Sequence, residues 1–196
     1  MVSDMHETKI AINPSISPYP MPVVIAGALV NGRPNFMAVA WFGKLHGRPN
    51  IWGLSIGKKQ YTLEGIKANM EFSINIPDAG LVEKTDYVGI VSGRDEDKSN
   101  QFEVFYGKLK SAPMISECPL TAECKVHDMV DLPSTVLVLG EVVSAYTESQ
   151  FTTNNILDPK KVSPILLTQP DNHYWSMGRV IGNAFSDGKK LSTRGL

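Results

Sequence analysis

Residues 35–77 decide how this chain folds, and they read NFMAVAWFGKLHGRPNIWGLSIGKKQYTLEGIKANMEFSINIP. Short apolar runs alternate with turns, and the polar loop SIGKKQYT then leads into a helix-like stretch and a last strand. A cationic loop before a helix suits a phosphate, because backbone N–H groups and the helix dipole both favour an anion there. The stretch therefore predicts a β-rich domain with an anion site at the start of its first helix.

The flanking sequence predicts antiparallel strands joined by tight turns. Val23 to Val30 is a continuous apolar run, Asn31-Gly32 is a hairpin turn signal, and residues 35–42 return as a second strand. A third strand over residues 51–56 completes a meander of the kind that can close into a barrel. The sequence thus indicates three neighbouring strands before the first helix.

The remaining elements follow from caps and periodicity. Residues 62–69 read as a helix with Thr62 as its N-cap, and residues 71–76 alternate as a strand. The β-branched run over residues 134–146 is expected to be the spine of the sheet. Its central Gly140 predicts a bulge or a close backbone approach, either of which helps a sheet to curl.

Bulk composition excludes several classes of protein. The 196 residues include 19 basic and 20 acidic side chains, and a net charge of -1 argues against a nucleic-acid-binding or membrane-surface protein. The N-terminus lacks the apolar region of a secretory signal, and no apolar run is long enough to span a membrane. We therefore expect a cytoplasmic protein without nucleic-acid or membrane partners.

The cysteines and histidines do not form a recognisable metal or redox motif. Cys118 and Cys124 are spaced too widely for a typical zinc or dithiol pair, so we expect two small buried side chains. The histidines are scattered without ligand spacing, and we predict no structural metal.

Four motifs occur in an order that resembles the flavin reductase-like, FMN-binding split-barrel family, particularly its flavoredoxin-type members. They are NFMAVAW, SIGKKQYT, FSINIP, and the run YVGIVSG followed by Lys98. The resemblance extends over residues 18–185 and leaves residues 1–17 and 186–196 as tails. It implies a mainly β, antiparallel Greek-key split barrel with a few short helices, a homodimer, and FMN as the cofactor.

The resemblance also implies which residues bind FMN. From the four motifs and an aromatic segment near the C-terminus they are Asn35, Met37, Ala38, Val39, Trp41, Ser55, Ile56, Lys58, Tyr61, Thr62, Asn75, Ser92, Gly93, Lys98 and Trp175. Hydroxyls of the SIGKKQYT loop, with Lys58 or Lys59, would hold the phosphate. Many relatives carry an arginine in this loop, and its absence here leaves open which lysine replaces it.

Each of these residues also has a purely structural interpretation. The strand residues of NFMAVAW could simply fill the core, and SIGKKQYT could be a solvated loop before a capped helix. Asn75 could be an amide facing the flavin ring or an outward surface group. Residues 94–98 could be a solvated charged turn, and Trp175 could be a core side chain.

The predicted function is that of an FMN-binding redox protein. It would be a flavoredoxin-type electron carrier or an NAD(P)H-dependent flavin or ferric reductase, with a partner protein or a nicotinamide nucleotide as the electron donor. The flavin would supply the chemistry, so no catalytic side chain is expected. No G-x-G-x-x-G motif supports a Rossmann nicotinamide site. The alternative is a non-catalytic flavin- or haem-binding split-barrel module for storage or sensing.

Overall fold

The computed structural model describes residues 9–191, and strands dominate this part of the chain. The strands are β1 (Met21–Pro22), β2 (Val24–Val30), β3 (Arg33–Val39), β4 (Phe42–His46), β5 (Ile51–Gly57), β6 (Glu71–Ile76), β7 (Val104–Phe105), β8 (Met114–Ile115), β9 (Leu120–Asp131), β10 (Thr135–Thr147), β11 (Thr152–Thr153), β12 (Ile156–Leu157), β13 (Leu166–Thr168) and β14 (His173–Trp175). The outer parts of both predicted tails, residues 1–8 and 192–196, lie outside the described residues.

The helices are short and few. They are α1 (Tyr61–Asn69), α2 (Val82–Ile90) and α3 (Pro159–Val162), with 3-10 turns at Ala79–Leu81, Lys98–Gln101, Ser149–Phe151 and Asp187–Leu191. No helix in the described part of the chain is both long and apolar enough to cross a membrane.

The main sheet is antiparallel and has seven strands in the order β3-β2-β6-β9-β10-β5-β4. Its two edge strands, β3 and β4, are consecutive in the chain and are joined only by Ala40 and Trp41. Two residues span only a few ångströms, so the sheet must curl until its edges meet. The Ser55 N–H donates to the Trp41 carbonyl at 2.9 Å, which extends the β4–β5 pairing into this connection. The predicted antiparallel barrel is thereby confirmed.

The predicted meander of three neighbouring strands is wrong. The second strand ends at Val39, and β4, which the sequence reading missed, begins at Phe42. The β2–β3 and β4–β5 hairpins form opposite edges of the sheet, because β6 and the long β9–β10 hairpin pair between them. Local turn signals could not reveal this long-range insertion.

The barrel interior is apolar and tightly packed. Phe72, Leu54, Ile56 and Val138 are fully buried in one cluster. The register of β9 and β10 shifts beside Gly140, where a Cβ atom would lie 2.3 Å from Cζ of Phe72. Both predictions for Gly140, a bulge and a close approach, are confirmed.

Helix α1 packs against β2 but does not begin as predicted. Its N-cap residue is Gln60, which provides no side-chain cap, and Thr62 lies inside the first turn. Thr62 is buried, and its hydroxyl accepts a hydrogen bond from Asn35 Nδ2 at 2.7 Å. The Thr62 hydroxyl is therefore a tertiary contact and not a helix cap.

Candidate functional site

An open cleft of about 230 Å³ lies where the barrel closes. The end of β3, the end of β5 and the loop before α1 form its walls. Its lining consists of Met37, Ala38, Val39, Ala40, Trp41, Ser55, Gly57, Gln60 and Gln169. The closure thus brings together two of the motifs to which the sequence assigned FMN binding, NFMAVAW and SIGKKQYT.

The β3 side of the cleft presents small and apolar groups. Met37 and Val39 are largely buried, whereas Ala38 and Ala40 are partly exposed and Trp41 is 56% exposed. Because alanine side chains are short, a planar ligand can approach the strand backbone at Ala38 and Ala40. This wall suits a flat, partly apolar molecule.

The opposite wall leads into the entry loop, defined here as residues 57–60. The Ser55 hydroxyl donates to Thr135 Oγ1 at 3.0 Å, so a ligand would meet its lone pairs. Lys58 forms an ion pair with Asp131 at 2.8 Å. Lys59 pairs with no carboxylate among residues 9–191. Lys59 is therefore the lysine of this loop whose charge is not already balanced.

The first turn of α1 leaves donors without acceptors. An α-helix cannot satisfy its first N–H groups internally, and no side chain caps this helix. The Leu63 N–H bonds to the Gln60 carbonyl at 3.1 Å, but within the described chain no acceptor is found for the N–H groups of Tyr61 and Thr62. Together with the helix dipole, these groups favour an anion next to the cleft.

Several of the predicted site residues form a support behind the loop and do not line the cleft. Asn35 and Thr62 are buried against each other, and Gly93 packs directly on this pair. A Cβ atom at Gly93 would lie 1.9 Å from Asn35 Oδ1 and 2.9 Å from Cδ1 of Tyr61. The Ile56 side chain is in the core, so only its backbone remains for a ligand contact.

Both alternatives for Asn75 are wrong. Its side chain is fully buried, and Nδ2 donates to the Ile25 carbonyl and to Ser73 Oγ, each at 3.0 Å. Its Oδ1 accepts from the Ile115 N–H at 2.9 Å. The bonds to Ile25 and Ile115 tie β6 to β2 and β8, because the strand alternation turns this amide towards the packed segment around β8.

Lys98 is buried, contrary to a solvated charged turn. It is 4% exposed, and Nζ donates to the carbonyls of Val88 at 3.0 Å and Val91 at 2.9 Å. These carbonyls lie at the C-terminal end of α2, where a cation is favoured. Burial lowers the pKa of Lys98 to about 8. Lys98 does not line the cleft, and its ammonium group caps the C-terminal end of α2.

The last predicted residues lie at the margins of the site. The Ser92 hydroxyl accepts a hydrogen bond from the Arg94 N–H at 3.2 Å, and the Tyr61 hydroxyl accepts from Asn31 at 3.3 Å. Trp175 is half exposed, and its Nε1 donates to Thr168 Oγ1 at 2.8 Å. It thereby holds the residue next to Gln169 without lining the cleft itself.

The sequence reading missed Gln60 and Gln169 in the cleft and Arg94 beside it. Gln60 was within the quoted loop, whereas Gln169 follows β13 and had no local signal. Its Oε1 accepts a hydrogen bond from the Ser17 hydroxyl at 2.7 Å. Cys118 and Cys124 are free and buried as predicted, and burial raises the pKa of both thiols.

Comparisons with known proteins agree with this architecture. Residues 16–169 match the family model of the flavin reductase like domain. A solved structure of flavoredoxin from Methanosarcina acetivorans is similar, with 47% identity, a TM-score of 0.92, and coverage of 94% of this chain and 99% of that one. Flavoredoxin of Desulfovibrio vulgaris (Miyazaki F) shows 29% identity, a TM-score of 0.85, and coverage of 92% and 99%.

Two curated relatives are longer than the matched region. A protein from Aeropyrum pernix is 28% identical over 136 residues, 68% of this chain and 52% of its own length. YddH from Escherichia coli K12 is 35% identical over 127 residues, 60% of this chain and 65% of its own length. This chain thus matches about half to two thirds of these relatives. The family match extends over most of the chain, which therefore belongs to the flavin reductase-like domain family.

Proposed function

We propose that this protein binds FMN in the cleft and acts as an electron carrier of the flavoredoxin type. The observation that carries the proposal is the continuity between an open, alanine-lined wall and the uncapped start of α1. One end of this site suits a flat ring, and the other suits a phosphate. The 47% identity to a protein named flavoredoxin supports the same choice.

The residues present fit the two parts of FMN. The Tyr61 and Thr62 N–H groups and the Lys59 ammonium would hold the phosphate, which carries between one and two negative charges at neutral pH. The backbone from Ala38 to Trp41 would hold the ring edge, and Ser55 would accept a hydrogen bond. FMN when bound supplies the redox chemistry, and the protein residues bind it, orient it and tune its environment.

The composition of the surface next to the cleft gives an argument about which electron donor the protein uses. A groove of about 380 Å³ shares Ala40 and Trp41 with the cleft and is otherwise lined by Pro18, Pro20, Met21, Pro22 and Phe42. This groove has no charged side chain in its lining, whereas the pyrophosphate of a nicotinamide dinucleotide favours cationic partners. The groove therefore favours a redox partner protein over NAD(P)H, and a reductase activity is the second candidate.

A homodimer is part of the proposed function. The segment after β14 exposes apolar side chains, among them Ile181 at 93% and Phe185 at 98%. Contiguous exposed apolar groups often mark an interface, and a second copy of the chain is the proposed partner. Light scattering should give a dimer for the full chain and a monomer for a chain ending at Gly178. A shortened chain that remains dimeric would exclude this segment as the interface.

The test of function is a titration of flavin-free protein with FMN, monitored by flavin fluorescence. We expect a micromolar or lower Kd, and Ala40→Leu should weaken binding about tenfold by occupying the wall of the cleft. Ala145→Leu is the matched control, because Ala145 is exposed on β10 and lies outside the cleft lining. Absence of FMN binding, or equal loss in both variants, would contradict the proposal.

The FMN-loaded protein then separates the two candidates. Under anaerobic conditions, an electron carrier should be bleached by dithionite or a reduced protein partner and not by NADH or NADPH. Bleaching by NADH or NADPH at a rate that saturates with concentration would instead establish the reductase. The same preparation serves both measurements, so cofactor loading is held constant.

A further inference from the structure

The loop after α2 contributes a guanidinium to the start of α1. Arg94 Nη1 donates to the Lys59 carbonyl at 3.1 Å, and Nη2 forms an ion pair with Glu64. The guanidinium carbon also lies 4.9 Å from the centre of the Tyr61 ring. One side chain therefore contacts the residues on either side of Gln60 and the first turn of the helix.

These contacts fix the orientation of one peptide plane. The Lys59 carbonyl points towards Arg94, while the Gln60 N–H of the same peptide donates to the Gly57 carbonyl at 3.0 Å. The carbonyl and N–H of a trans peptide point in opposite directions, so both sides of this plane are held. The following N–H groups, those of Tyr61 and Thr62, then have a defined direction.

Arg94 itself is anchored from behind. The adjacent Gly93 packs against Asn35 and Tyr61, and the Arg94 N–H donates to Ser92 Oγ at 3.2 Å. Exposed ion pairs contribute little to global stability, so the contacts of Arg94 are expected to act locally on the entry loop. No arginine occurs within the loop sequence SIGKKQYT, and Arg94 reaches it from elsewhere in the chain.

We propose that Arg94 is a positioning residue for the phosphate end of FMN, holding the entry loop and the start of α1 in the anion-binding arrangement. The inference rests on the proposed function. In this proposal Arg94 acts through the loop and not as a direct phosphate ligand: Nη1 and Nη2 each already bind a group of the chain, and Glu64 balances its charge. Lys59 remains the direct cationic contact.

The test compares FMN with riboflavin, which lacks the phosphate. Arg94→Ala should raise the Kd for FMN about tenfold and change the Kd for riboflavin less than twofold, because only the phosphate end depends on the loop. Arg94→Lys should give an intermediate loss, since an ammonium lacks the planar fork that contacts several groups at once. Equal changes for both flavins, or no change for either, would overturn the inference.

Glu64→Gln distinguishes positioning from direct charge attraction. If Arg94 positions the loop, loss of its anchor should weaken FMN binding by a smaller factor than Arg94→Ala. If Arg94 attracted the phosphate directly, removing the neighbouring negative charge would tighten FMN binding. Unchanged or tighter binding in Glu64→Gln would therefore contradict a positioning role.

Lys84→Ala is the matched control. Lys84 on α2 also combines an ion pair, with Glu117 at 3.2 Å, and a cation–π contact, 5.4 Å from the centre of the Phe102 ring. It lies outside the cleft, so its loss should leave the Kd of both flavins unchanged. Wild-type protein that binds neither flavin would refute the proposed function itself, whereas normal wild-type binding with an unaffected Arg94→Ala variant would refute only this inference.

Discussion

The segment at Lys108–Leu109 and the start of α1 both present backbone N–H groups that suit an anion, but only the first of these two regions receives that anion from the described chain. The N–H groups of Lys108 and Leu109 donate to the buried carboxylate of Glu123 at 2.9 and 2.7 Å. The N–H groups of Tyr61 and Thr62 at the start of α1 have no such partner in the described chain.

This difference distinguishes a structural hydrogen-bond cluster from a candidate binding site. Glu123 also accepts from the Tyr146 hydroxyl at 2.9 Å, so its cluster is complete without a ligand. Lys98 has the corresponding role with a positive charge, because its ammonium group donates to backbone carbonyls at the end of α2. The start of α1 lies next to an open cleft, and among residues 9–191 its first N–H groups have no acceptor. The contrast is the reason for proposing the start of α1 as the anion site.

Glu123→Gln should have the largest effect on stability. An amide offers one acceptor and places an NH₂ among donors, so we expect a loss of about 3 kcal/mol in the free energy of unfolding. Urea denaturation at neutral pH measures this loss. The Kd for FMN should be unchanged, and a large change in FMN binding would break the distinction between the two regions.

The same variant predicts a pH dependence. Burial alone would raise the pKa of the Glu123 carboxyl, but hydrogen bonds from Leu109, Lys108 and Tyr146 hold this pKa below its usual range. A lowered folded-state pKa gives stability that is present above the unfolded pKa and lost as the pH falls through the folded pKa. The stability difference between wild type and Glu123→Gln should therefore shrink in acid.

Lys98→Met tests the cation that the chain itself places at the end of α2. The pKa of Lys98 is lowered to about 8 from 10.5, so between these values the unfolded chain binds more protons and stability rises with pH. The advantage of wild type over Lys98→Met should grow by an amount on the order of 2 kcal/mol from pH 7 to pH 10. The buried cysteines titrate equally in both proteins and cancel. A constant difference would refute the lowered pKa of Lys98 in the folded protein.

Gly93→Ala should affect the site and stability together. Its Cβ would overlap Asn35 Oδ1, and we expect a loss of about 1.5 kcal/mol in the free energy of unfolding, with weaker FMN binding. Gly43→Ala on β4 is the control, because nothing lies within 4 Å of its added Cβ. Normal FMN binding by Gly93→Ala would show that the support behind the loop is not needed.

Lys59→Ala and Lys58→Ala should differ although the residues are adjacent. Lys59 has no carboxylate partner among residues 9–191, so its loss should raise the Kd for FMN about tenfold, or about 1.4 kcal/mol. Lys58 is paired with Asp131, so its loss should cost less than threefold. Fluorescence titration at low salt gives both values. A reversed order would make Lys58 the phosphate contact.

Much of the fold was predictable because its signals are local. Apolar runs, the Asn31-Gly32 turn and Gly140 all depend on neighbouring residues, and β2, β5, β6 and the bulge occur where expected. The break at Ala40 and Trp41 was not predictable, because it depends on β6, β9 and β10 pairing between the two hairpins. The sequence did identify Met37, Ala38, Val39, Trp41 and Ser55 as site candidates, and these line the cleft.

The sequence by itself determined the β-rich class and the hairpin at Asn31-Gly32, and it predicted an anion-binding loop before a helix. Only the tertiary structure decided which polar residues are available to a ligand. Asn75 and Lys98 are satisfied internally, whereas Lys59 and the start of α1 find no such partner within residues 9–191. Arg94, Gln169 and the entry loop meet only because the sheet closes and the loops pack around it. Hydrogen-bond partners distant in sequence, which no local pattern encodes, therefore separate the site from the scaffold.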